Sequence, residues 1–95
     1  VDGDTTPDVG GCDLLYVVYT SPTTITDLDG GYAGQEVTIA CGNGSAITIK
    51  DVAGAGKFAL NGSADLVIQN TDTVKVVCVA PGGTPQWYEV SRSNN

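Results

Sequence analysis

Apolar residues in this chain recur at every second position, in short runs that turn-forming residues keep interrupting. Val37, Ile39 and Cys41 form one such run, and Val74, Val76 and Cys78 another. A period of two marks a strand with one buried face, and no window shows the i, i+3, i+4, i+7 spacing of an amphipathic helix. Strands are predicted over Asp13 to Tyr19, Thr23 to Thr26, Gln35 to Cys41, Ser45 to Lys50, Lys57 to Leu60, Asp65 to Ile68, Thr73 to Ala80 and Gln86 to Ser91. Between them stand Asp29-Gly30-Gly31, Asn43-Gly44, Gly54-Ala55-Gly56, Asn61-Gly62 and Pro81-Gly82-Gly83, all suited to turns because they accept positive φ at little cost.

The fold class is therefore all-β. Ile25, Val37-Ile39, Ile47-Ile49, Phe58-Leu60 and Leu66-Ile68 contribute only one or two inward side chains each. Strands so short fit a β-solenoid-like or a jelly-roll-like arrangement, and the small inward count favours the solenoid. The polar, acidic residues 1–12 are expected to form an extended N-terminal arm, and residues 13–95 a single β domain. With no Met in the chain, a removed initiator or a fragment of a longer protein is expected, and the acidic start is unlike a signal peptide.

Composition narrows the function. A chain of 95 residues makes one small domain, without room for a lid and a separate cofactor fold. Eleven Asp and Glu against four Lys and Arg give a net charge of −7, which repels phosphate backbones and anionic lipid. Neither nucleic acid nor membrane insertion is expected, and no apolar run approaches the roughly 20 residues of a spanning helix. The chain has no His, so Ser-His and Cys-His nucleophile pairs and the commonest zinc ligand are missing. No enzymatic activity and no cofactor are expected. Cys12, Cys41 and Cys78 are too sparse for a disulfide framework; Cys41 and Cys78 continue inward faces, whereas Cys12 is expected to be exposed.

Leu14, Leu15, Tyr16, Val17, Val18 and Tyr19 are apolar on both faces of one predicted strand. One face packs inside the chain, and the other needs cover from a second subunit. Trp87 and Tyr88 point to opposite sides of the last strand and join these six as expected interface anchors, with Arg92 and Glu89 as an inter-chain ion pair. Tyr32, Trp87 and Tyr88 are also the candidates for stacking on sugar rings. Asp27, Asp29, Glu36 and Glu89 are the carboxylates that paired acid–base chemistry would need, and Asp27-Leu28-Asp29-Gly30 and Asp2-Gly3-Asp4 have the oxygen spacing of a loose cation site. Ordinary turns use the same residues, so no metal site is assigned.

Several phrases occur in a familiar order. They are Thr6-Pro7-Asp8-Val9-Gly10-Gly11, Thr23-Thr24-Ile25-Thr26-Asp27-Leu28-Asp29-Gly30-Gly31, Gly34-Gln35-Glu36-Val37-Thr38-Ile39, Asn70-Thr71-Asp72-Thr73-Val74 and Trp87-Tyr88-Glu89-Val90-Ser91-Arg92-Ser93. Together they resemble a β-rich domain of phage tail fibres, tailspikes and related virion surface proteins, where it commonly stands near a β-helical region. The resemblance spans nearly the whole chain. It implies an intertwined homotrimer on the virion surface, made in the host cytoplasm, that serves as tail fibre, tailspike, capsid decoration or head spike. The implied partners are copies of itself, other capsid or tail proteins and a host surface glycan. The three cysteines depart from the pattern, and so short a chain has no room for the catalytic β-helix of large tailspikes.

Overall fold

Strands form in all eight predicted stretches: β1 (Leu14–Val17), β2 (Thr23–Ile25), β3 (Glu36–Cys41), β4 (Ile47–Ile49), β5 (Phe58–Ala59), β6 (Leu66–Ile68), β7 (Thr73–Val79) and β8 (Gln86–Ser93). The computed structural model describes residues 3–54, 56–80 and 84–93; Asp2, Ala55 and the expected Pro81-Gly82-Gly83 turn lie outside the described residues. The one helical element among them is a 3-10 turn, Val52–Gly54.

The strands make two mixed sheets without a closed barrel, in the orders β1-β3-β7-β8-β5 and β2-β4-β6. β1 runs parallel to β3, with Leu14 opposite Thr38 and Val17 opposite Cys41. β2 runs parallel to β4, with Thr23 opposite Ile47 and Ile25 opposite Ile49. Partners in both pairs are 24 residues apart (14 to 38, 25 to 49), so residues 14–25 lie as one arch upon residues 38–49. Each arch leaves the larger sheet, bends and enters the smaller one. A parallel pair needs a crossover, and here the opposite sheet supplies it. β6 and β7 form a third layer running the other way, antiparallel to β4 and β3. β8 then pairs antiparallel with β7, and β5 parallel with β8. These parallel pairs depart from the antiparallel pairing of a jelly roll.

Alternation places the core between the sheets. Val37, Ile39, Val74, Val76, Phe58 and Trp87 face inward from the larger sheet, and Ile25, Ile47, Ile49 and Ile68 meet them from the smaller, in a single cluster. Full burial of each such side chain contributes about 1.5–3 kcal/mol. The radius of gyration, 12.0 Å, is that of one folded unit of this size.

The segment expected to be an extended arm lies along the domain and bonds to it. Val9 is fully buried and donates its N–H to the Asp29 carbonyl at 2.8 Å, while Asp29 and Thr26 donate to Pro7 and Thr5, each at 2.9 Å. Gln35, itself buried, donates from Nε2 to the carbonyls of Val9 and Cys12, both at 2.7 Å. A lone Val among polar residues carries no periodic signal, so its burial was not legible in the sequence.

Candidate interaction surface

β1 has one inward and one outward row. Leu15 is half-buried and Val17 buried, with Tyr19 beyond the strand end also buried; Leu14, Tyr16 and Val18 turn out and are 56%, 65% and 47% exposed. This corrects the expected interface: Val17 and Tyr19 are spent inside their own chain, and the Tyr19 hydroxyl donates to the Asp4 carbonyl at 2.9 Å. A partner can reach chiefly Leu14, Tyr16 and Val18. The Tyr16 ring lies over Gly42, where any Cβ would collide with the phenol and come within 2.7 Å of Val18. Gly42 is thus needed for the close approach of the Tyr16 ring.

β1 and β2 are both edge strands, at the same end of the stacked arches. Thr38 donates its N–H to the Asp13 carbonyl at 2.9 Å, Gly42 to Val17 at 2.8 Å, and Lys50 to Ile25 at 2.9 Å. Asp13, Val17 and Ile25 therefore turn their main chain toward the neighbouring strand, and the alternate residues Leu14, Tyr16 and Thr24 turn theirs away from the sheets. From Leu14 to Thr26 there is no charged residue.

Trp87 is fully buried. Its ring packs on Gly31, where a Cβ would stand 3.0 Å from Cη2 and 3.5 Å from the Cys78 sulfur. Trp87 is therefore neither an interface anchor nor a sugar platform, contrary to both expectations. Tyr88 and Tyr32 are open, at 40% and 60% exposure. Tyr88 shares the outer face of the larger sheet with Val77, its partner across β7, and with Tyr16 farther along.

The carboxylates have separate tasks. Glu89 accepts from Arg92 Nε at 2.6 Å, from Arg92 Nη2 at 2.6 Å and from the Asn61 N–H at 2.7 Å. The pair expected between chains is thus made within one, and its Glu89 side chain is only 6% exposed. Hydrogen bonding to Arg92, followed by the Asn61 N–H, holds Glu89 below the usual carboxylate range against the cost of burial, and Glu89 in turn raises Arg92. Glu36 pairs with Lys75 at 2.9 Å on the open face. Asp29 joins Asp8 through the main chain.

Asp27 accepts the Leu28 N–H at 2.8 Å, yet burial raises its pKa, with Asp29 adding to the rise. The Trp87 indole N–H lies near enough to favour the charged form slightly but falls short of a hydrogen bond and is buried without one. Burial, and then nearby Asp72 and Asp27 respectively, push the Cys41 and Cys78 thiols up, so both stay protonated; Cys12 is exposed. Among the described residues no three His, Cys, Asp or Glu side chains converge as a metal site. The groove between Leu66, Val67, Asp72 and Arg92 holds about 60 Å³, far below the roughly 300–1,000 Å³ of small-molecule sites. The described surface that stands out is the uncharged edge of β1.

Comparison with protein-family models, curated proteins and solved structures finds no match to this chain.

Proposed function

We propose that the chain is a non-enzymatic structural module of a phage particle, exposed on the virion surface as part of a tail fibre, tailspike, capsid decoration or head spike, and that it works as a homotrimer. The observation that carries this reading is the outward row Leu14, Tyr16 and Val18 on an open strand edge. Contiguous apolar surface on a soluble chain marks a place of association. The common 24-residue offset of the two arches (14 to 38, 23 to 47) adds support, because stacked coils of a solenoid repeat in the same way and the resembling virion domains stand near β-helices. Immunogold labelling of the particles that carry the gene tests the location. Label on intact particles is expected; label confined to the soluble fraction of infected cells overturns the reading.

Attachment to a host surface glycan is the second reading, favoured by the exposure of Tyr32 and Tyr88 and no longer involving Trp87. Retention on immobilised host polysaccharide that is lost in Tyr88→Ala and Tyr32→Ala is the expected result. Equal retention of these variants and the wild type rules it out.

A further inference from the structure

We infer that a second copy of this chain adds a strand to the open edge of β1, joining through main-chain hydrogen bonds as well as through side-chain packing. The inference rests on the self-assembly proposed above and specifies how it occurs. Two arches of the structure are alike in charge. Residues 37–49, the central arch, contain no charged side chain, and residues 14–26 contain none either. The central arch has strands on both sides, β1 and β7 in one sheet and β2 and β6 in the other. The terminal arch has strands on one side only; on its outer side the N-terminal segment bonds just past β2, Thr26 donating to the Thr5 carbonyl at 2.9 Å, and β1 is left open, although the composition is that of an interior layer.

The strands at the other end are guarded differently. An Asp precedes an edge strand at both ends, Asp13 before β1 and Asp65 before β6, but Asp65 is tied to Lys50 at 3.1 Å, and the far edge of the larger sheet lies beside β8, which bears Glu89 and Arg92. β5, the far edge of the larger sheet, has two residues and follows Lys57. Proteins blunt edge strands by charge and shortness, and β1 has neither a charge nor a Pro along Leu14–Val17. Each copy carries −7, so a strand of an incoming copy meets least electrostatic cost at the uncharged β1 edge. The outward main chain of Leu14 and Tyr16 then bonds the added strand, and the outward side chains of Leu14, Tyr16 and Val18 pack beside it.

Two substitutions at one position separate strand addition from side-chain packing. Tyr16 directs its N–H away from β3, so proline there removes a donor that the isolated chain does not use. Tyr16→Ala removes the ring and retains the N–H. By light scattering, Tyr16→Ala is expected to assemble, and Tyr16→Pro to be at least tenfold weaker than Tyr16→Ala while keeping the buried emission of Trp87. Equal assembly of the two variants overturns strand addition. Amide exchange of the wild type provides a check without substitution: the Leu14 and Tyr16 N–H groups should exchange at least tenfold more slowly in concentrated than in dilute protein, with Val17 protected in both. Assembly without such slowing overturns the strand addition and leaves the assembly reading intact; a wild type that never assembles overturns both.

Discussion

Glu89 shows how much a single side chain settles in this molecule. Its carboxylate gathers Arg92 and the Asn61 N–H, tying β8 to the turn after β5. Because its folded pKa is lowered, the stability it contributes is fully present above the unfolded carboxylate value, about 4.3, and is lost as pH falls through the folded pKa. Glu89→Gln should therefore cost about 1–3 kcal/mol in urea unfolding at pH 7, with the gap to wild type closing in acid. A gap that widens as pH falls would contradict this assignment. The Glu89–Arg92 spacing of three was visible in the sequence, but whether the pair lies within or between chains was not. The deciding neighbour, Asn61, is 28 residues away from Glu89. Likewise, Trp87 alternates with Tyr88 as expected, and only the approach of Gly31 shows which of the two is enclosed.

Among the elements, β1 combines two roles in one alternating run. Val17 faces the core and Leu14 faces out. Val17→Ala is expected to lower the unfolding free energy by about 1–2.5 kcal/mol and leave assembly of the folded protein in place. Leu14→Ser should change the stability of the separated chain by only about 0.5 kcal/mol while weakening assembly severalfold in sedimentation equilibrium. The opposite pattern would place the wrong row at the interface. Strand existence was legible here because period-two alternation is local. Strand partners were not: the parallel stacking of residues 14–25 on 38–49 depends on bends at Val18 to Pro22 and Gly42 to Ala46 that send each arch into the second sheet. Gly42, just before the expected Asn43-Gly44 turn, leaves room for the Tyr16 ring. The pairing of the N-terminal segment to residues 26–29 leaves no mark in the sequence, because it uses backbone groups, which any sequence supplies.

For the whole molecule, charge and apolar surface act in opposite directions. Each copy carries −7, and three copies carry three times that, so bringing them together is opposed over long range. Salt screens this repulsion, with a Debye length near 10 Å at 0.1 M and about 3 Å at 1 M, and leaves the apolar contact in place. Association should accordingly tighten between 0.05 and 0.5 M sodium chloride, by roughly tenfold or less; weakening over that range would point to an interface built on ion pairs. The core is closed within one chain, so folding and assembly are separable, and the apolar row of β1 is what remains to be covered. Light scattering during size-exclusion chromatography of the intact protein measures the outcome directly. The account predicts a mass three times the 9.7 kDa of the chain; an unchanging 9.7 kDa at every concentration would contradict it.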